Sequence, residues 1–174
     1  RKGYPGHQEI ELALVKLYRC TKQRRYLDCA RFFIDERGRE PNYLRQEIED
    51  RNGRVIFPEF REYELKYAQA HMPPRQQRTA EGHAVRATYM YCAMADIARE
   101  DDDDALLETC RALWKNITQR RMYITGGIGS SGFFERFTTD YDLPNDASYC
   151  ETCASIGLAL FGRRMNLIER DAAY

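Results

Sequence analysis

Neither sign of charge is in excess in this chain of 174 residues: 27 Lys and Arg stand against 27 Asp and Glu. That balance excludes a basic field able to hold nucleic acid or an anionic membrane surface through charge alone. A neutral small-molecule partner is the better expectation. No apolar run approaches the roughly 20 residues needed to cross a bilayer, and the first residues lack a charged-then-apolar secretory pattern. The chain therefore reads as soluble, without a membrane partner. Its abrupt opening at Arg1 and its ending at Tyr174 read as cuts.

A disulfide framework is also missing, since six cysteines are scattered over a chain too large and too helix-patterned to need one. Cys20, Cys92 and Cys110 sit among apolar residues of apparent helices, where a thiol packs as a small hydrophobe. A reducing, cytoplasmic compartment is expected. The glycine-rich run from Gly126 to Gly132 lacks the Gly-Lys-Ser/Thr ending of a phosphate-binding loop, and no strand leads into it. It reads as a flexible loop shaping a rim.

What is present is helical periodicity. Ile10, Ala13, Leu14, Leu17 and Tyr18 recur at helical steps after Pro5-Gly6, predicting a helix over 7–18. Tyr26, Leu27, Ala30, Phe33 and Ile34 predict a second, ending near Gly38 as its C-cap. Together they form an antiparallel hairpin. Residues 39–80 are punctuated by Pro41, Gly53, Pro58, Pro73 and Pro74, and only 43–48 reads as a turn of helix. Such an insertion is usually functional or disordered; its aromatics Tyr43, Phe57, Phe60, Tyr63 and Tyr67 favour order, and His71 reads as a solvated loop histidine.

A second hairpin is predicted over 82–99 and 105–122, and a third begins over 151–168, with Asp171–Tyr174 resembling the start of its partner helix. Asp101–Asp104 are contiguous and precede a helix, which suits the helix dipole better than a calcium loop. Hairpins thus start near His7, Gly82 and Glu151, an internal repeat of about 70–75 residues. If they pack side by side, their first helices share a direction, and His7, His83, Glu151 and Cys153 converge on one mouth.

Several residues there carry chemistry. Glu151 and Cys153, separated by one residue, are two ligands of an incomplete zinc site, or else a helix start with an ordinary thiol. Cys150-Glu-Thr-Cys153 spells a redox or zinc pair, but a thioredoxin-like site needs strands and a four-cysteine zinc needs another close pair. Glu135 lies between Phe133-Phe134 and Arg136-Phe137; an apolar surround would raise its pKa, as a general acid needs, while pairing with Arg136 is the plain alternative. His7 and His83 follow glycine at matching helix starts, where imidazoles can bond hydroxyls or merely backbone. Asn116-Ile-Thr118 spells a glycosylation sequon inside a predicted helix and is discounted.

Five segments in order, Gly3-Tyr-Pro-Gly-His-Gln-Glu-Ile-Glu-Leu-Ala-Leu, Gly82-His-Ala-Val-Arg-Ala, Met122-Tyr-Ile-Thr-Gly-Gly-Ile-Gly-Ser, Asp140-Tyr-Asp-Leu-Pro-Asn-Asp and Tyr149-Cys-Glu-Thr-Cys-Ala, resemble glycoside hydrolase family 127, the β-L-arabinofuranosidases. The resemblance covers nearly the whole chain. It implies an all-α fold, with helical hairpins forming about half of an (α/α)6 barrel catalytic domain over 1–174. It further implies a zinc-dependent retaining glycosidase with a cysteine nucleophile, acting on arabinofuranoside oligosaccharides or glycoconjugates. On that resemblance Glu135 falls at the general acid/base, Glu151 and Cys153 at two of four Zn2+ ligands, and His7 and His83 at sugar contacts. The other ligands, an adjacent cysteine pair that includes the nucleophile, have no counterpart here, because this sequence has no Cys-Cys pair. Cys150 is additional to the family pattern.

Two competing readings remain at this level. One is a two-carboxylate glycosidase pairing Glu135 with Asp140, Asp142 or Asp146. The other is a noncatalytic helical scaffold binding a partner along its concave face. Linkage and oligomeric state, including a homo-oligomer, stay open.

Overall fold

The computed structural model describes residues 3–54 and 64–174, and six α-helices make up its frame. They are α1 (Ile10–Thr21), α2 (Arg24–Glu36), α3 (Tyr43–Asp50), α4 (Ala84–Asp101), α5 (Asp104–Asn116) and α6 (Thr152–Glu169). Among the described residues no named strand occurs, only isolated bridges, as an all-α fold requires. Phe57, Pro58, Phe60 and Tyr63 lie outside the described residues.

α4 is central, packed against α1, α2, α5 and α6. Its sequence explains why: from Ala84 to Ala98 nearly every residue is buried, and alanines at 84, 87, 93, 95 and 98 let neighbours approach on all sides. A helix apolar all round belongs in a core. Large side chains from the surrounding helices close over it, including Leu27, Ile34, Leu106, Leu113 and Phe161, all fully buried. Each such burial contributes about 1.5–3 kcal/mol. At the α4–α6 contact Gly157 is required, since a Cβ there would stand 2.2 Å from the Thr88 hydroxyl oxygen.

α1, α4 and α6 run in the same direction. Arg19 near the end of α1 and Arg164 near the end of α6 both bond Asp96, in the last third of α4, at 3.1 and 2.7 Å. At the other end His7 and His83, preceding α1 and α4, have ring centroids 6.1 Å apart. The three first helices of the repeat therefore present their starts to one mouth.

Several expectations change. On α1, Ile10 and Leu17 are exposed, and the inward residues are Glu11 and Val15 with Leu12, Leu14 and Tyr18 beside them. The face is set by what α4 and α2 cover rather than by the longest apolar stripe. His7 lies in the turn before α1, not in it. The second hairpin's outer helix stops at Asn116 and winds through a π-helical turn, Ile117–Arg121. Cys20 is exposed, whereas Cys92 and Cys110 are buried; burial pushes the Cys92 thiol up to about 12.

His71 is half-buried rather than solvated: its Nδ1 has no hydrogen-bond partner, and burial lowers its pKa. The four acids divide their work. Asp101 bonds Arg24 and Arg31, Asp102 is the left-handed C-cap of α4, and the Asp103 carboxylate caps α5 by accepting from the Leu106 N–H at 2.9 Å. Asn116 is buried, its side chain bonding Ala80 and Asp140. Residues 171–174 turn instead of starting a helix.

Candidate active site

The mouth is assembled by the segment from Tyr123 to Glu151 folding back on the start of α4. Arg136 pairs with both His83 and Ser131 as isolated antiparallel bridges, and the Phe137 N–H donates to the Gly82 carbonyl at 2.9 Å. Gly82 sits at φ +71°, where a Cβ would stand 1.8 Å from the Lys66 carbonyl oxygen, so only glycine fits. Further along, the N–H groups of Tyr149 and Cys150 donate to the carbonyls of Ser130 and Gly129. These bonds hang Glu135 and the start of α6 over His83.

Glu135 is the focus. One carboxylate oxygen lies 2.7 Å from His83 Nε2, and the other accepts from the Tyr149 hydroxyl at 2.8 Å. The tautomer of His83 follows from its other nitrogen: Nδ1 accepts the Arg86 N–H at 3.2 Å, capping α4, so Nε2 carries the proton and donates. Burial lowers the His83 pKa, which favours this neutral ring. Backbone strain accompanies the placement, because Phe134 and Glu135 both take left-handed φ values, 56° and 51°.

The environment of Glu135 corrects one expectation. Its carboxyl is held below the ordinary range, chiefly by the Tyr149 hydroxyl and also by His83, against a raising effect of burial. The flanking phenyl rings do not enclose it: Phe133 is 60% exposed, and Phe134 turns edge-on to Tyr67. Nor does Arg136 pair with it; that guanidinium bonds Glu64 at 2.8 Å.

Glu151 occupies the N-cap position of α6 without a capping bond from its side chain. His83, Glu135 and Glu151 each offer a ligand atom, all within 4.8 Å of one another. Cys153 is exposed in the first turn of α6, and its hydrogen bond to the Glu151 carboxylate raises the thiol pKa. Cys150 points elsewhere: a Cβ on Gly127 would stand 2.9 Å from its sulfur. His7 lies beside His83 and 6.3 Å from the Tyr89 ring, centroid to centroid; its residue is exposed overall, but the neighbouring rings strip water from part of the imidazole, and this partial desolvation, then Arg86, lowers its pKa. His83, Glu135 and Glu151 thus meet at one place, with His7 beside His83 and Cys153 beside Glu151.

Of the acids in the alternative reading, Asp140 is bound by Arg120, Arg121 and Asn116, and the Arg120 bond leads in bringing its carboxyl down to about 2. Asp142 and Asp146 are exposed. The carboxylate beside Glu135 is Glu151. Sequence reasoning missed Tyr149 and Tyr67, the ring that meets His83 edge-on at 5.4 Å. No periodicity marks either, since Tyr67 sits in a four-residue 3₁₀ turn and Tyr149 in irregular backbone.

The family model for the β-L-arabinofuranosidase GH127 catalytic domain matches residues 1–174. The non-reducing end β-L-arabinofuranosidase of Bifidobacterium longum subsp. longum is 45% identical over 172 residues, covering 99% of this chain and 26% of that protein. The crystal structure of Ara127N, a GH127 β-L-arabinofuranosidase from Geobacillus stearothermophilus T6, superposes with a TM-score of 0.92 at 53% identity, over 97% of this chain and 26% of that one. A second GH127 β-arabinofuranosidase structure gives 0.82 at 41% identity, over 98% of this chain and 24% of its own. This chain therefore spans about a quarter of the length of these relatives. Sequence and fold agree, and the chain belongs to the GH127 β-L-arabinofuranosidase catalytic-domain family.

Proposed function

We propose that this chain supplies the acid/base and part of a metal corner of a retaining glycoside hydrolase that releases L-arabinose from β-L-arabinofuranosides. The observation that carries this is the single cluster in which Glu135 touches His83 and Tyr149 and stands beside Glu151. Glu135 protonates the departing glycosidic oxygen, then takes a proton from the attacking water, the sequence that retention of configuration requires. At rest it is a carboxylate with a donor on each oxygen. Displacement of the Tyr149 hydroxyl by bound sugar raises its proton affinity toward that of an acid. His7 and His83 bond the furanose hydroxyls, with the neutral His83 ring also holding Glu135 in place.

Glu151 and Cys153 would hold the zinc ion that the family implies. Their chemistry fits, since the Cys153 thiol and the Glu151 carboxylate, with only Thr152 between them and near enough for the carboxylate to raise the thiol pKa, offer a soft and a hard donor side by side. When bound, zinc keeps cysteine sulfur deprotonated at neutral pH. The nucleophile we assign to a cysteine outside this chain, one of an adjacent pair.

The test is Glu135→Gln in the full-length protein, assayed on a β-L-arabinofuranoside. Turnover should fall by about 10²–10⁴-fold with zinc content unchanged; unaltered turnover refutes the role. The closeness of Glu151 to Glu135 favours a second reading, a two-carboxylate pair. Full activity after exhaustive zinc removal would select it.

A further inference from the structure

Beneath the two imidazoles lies a buried polar bridge that the reaction chemistry leaves unused. Gln69 and Gln8 are both fully buried. Gln69 follows a short 3₁₀ turn, Leu65–Ala68, with a left-handed φ of 52° that turns its side chain inward. Its Nε2 faces three carbonyl oxygens, of Glu81 at 2.8 Å, His83 at 3.2 Å and Tyr67 at 3.3 Å. Only an amide nitrogen can face three acceptors, so Oε1 must point the other way. There it accepts from Gln8 Nε2 at 2.5 Å, and Gln8 also donates to the Ala68 carbonyl at 2.9 Å.

One end of this bridge is thus bonded to the backbone carbonyl of His83, and the other belongs to the residue that follows His7. On the opposite side Arg86, on the first turn of α4, donates to the Gly6 carbonyl at 2.8 Å. Gly6 and Gln8, the two neighbours of His7, are both tethered to groups around His83. Gln8 Oε1 is buried without a protein partner. An apolar pair would fill this space without that loss, so the amides cost stability while fixing direction.

We infer that Gln69 and Gln8 are positioning residues that set the separation of His7 and His83, and through it the grip on furanose hydroxyls. The inference rests on the functional reading above for its sugar, and on the bridge alone for its geometry. Methionine keeps the volume of glutamine while removing the amide. In full-length Gln8→Met, which loosens the His7 side, KM for a β-L-arabinofuranoside should rise about tenfold with kcat within about twofold, the pattern of lost uniform binding; in Gln69→Met, which also frees the backbone of the histidine that holds Glu135, KM should rise likewise while kcat falls as well. Unchanged KM in folded variants overturns the inference, as does a fall in kcat matched by kcat/KM.

Because Gln69→Met removes more bonds, Gln8→Met at the far end of the bridge keeps the test open should the first not fold. A purely structural role would move thermal stability and leave KM where it was. The nuclear Overhauser effect between the His7 and His83 rings gives a readout independent of turnover. If the wild-type protein leaves arabinofuranosides uncut, the functional reading fails and this arm decides: an effect abolished by Gln8→Met upholds the positioning role, and one of wild-type strength overturns it.

Discussion

The two ends of the α1–α4–α6 layer treat charge in opposite ways. Away from the mouth, the acids drawn into the helix interfaces are answered: Asp96 takes Arg19 on one oxygen and Arg164 on the other, and Asp101 does the same with Arg24 and Arg31. At the mouth, no Lys or Arg lies within ion-pair distance of Glu135 or Glu151 among the described residues, and Glu135 is held only by a neutral imidazole and a phenol. Backbone follows the same division. Left-handed residues at the far end, Lys22, Asp102 and Arg170, are helix C-caps whose N–H groups are bonded, whereas Phe134 and Glu135 are consecutive left-handed residues inside a loop. One end stores stability, and the other keeps polar groups available at some expense of it.

Mutation can break that comparison most sharply at its strongest point. Asp96→Ala leaves Arg164, whose side chain is only 11% exposed, without its carboxylate in a helix interface. Loss of one partner from a buried pair costs about 3–5 kcal/mol; partial exposure of Arg19 argues for the lower bound here. Glu135→Gln should alter stability by less than about 1 kcal/mol, as expected for a partly exposed site whose new amide still accepts one of the two bonds. Urea unfolding of both variants checks this, and equal losses would mean that the two ends are not differently built.

The difference also marks how far the amino-acid sequence can be read. Helical spacing locates α1, α2, α4, α5 and α6, and the matched glycine–histidine starts correctly imply parallel first helices with a common mouth. Local pattern carries that information because packing of apolar faces is what fixes it. The same pattern misplaces the buried face of α1, since Ile10 and Leu17 look as apolar as Val15 until the neighbours are known. Tyr149, Gln69 and the depressed pKa of Glu135 are out of its reach. Each depends on contacts between distant segments, Tyr149 with Glu135 across a turn and Gln69 with Gln8 across 61 residues. Sequence resemblance singles out five candidate residues where spacing alone leaves each of them with an ordinary explanation.

A smaller effect is expected where the two ends are joined. Gly157 lets α6 approach α4 so closely that a methyl group would overlap the Thr88 hydroxyl. Gly157→Ala must push α6 outward, and overpacking of this kind costs about 1–3 kcal/mol, offset in part by the better helix propensity of alanine. Thermal unfolding measures the balance. A stabilised variant would mean that the α4–α6 contact yields freely, so that the starts and ends of these helices are not rigidly linked.

The smallest effect concerns Asp140, the acid near the mouth that follows the far end's rule. Arg120 and Arg121 engage its carboxylate, with Asn116 as a third donor, and the folded pKa falls to about 2, below the ordinary 3.8. A depressed folded pKa means that the bonds stabilise the fold above the unfolded value and that this contribution disappears as pH drops through the folded one. The stability difference between wild type and Asp140→Asn should therefore be full at about pH 5, shrink below about pH 4 and be nearly gone at about pH 2. Urea midpoints at those pH values decide it. A difference that persists at the lowest pH would show that geometry, through the amide of Asn116, holds this loop rather than charge.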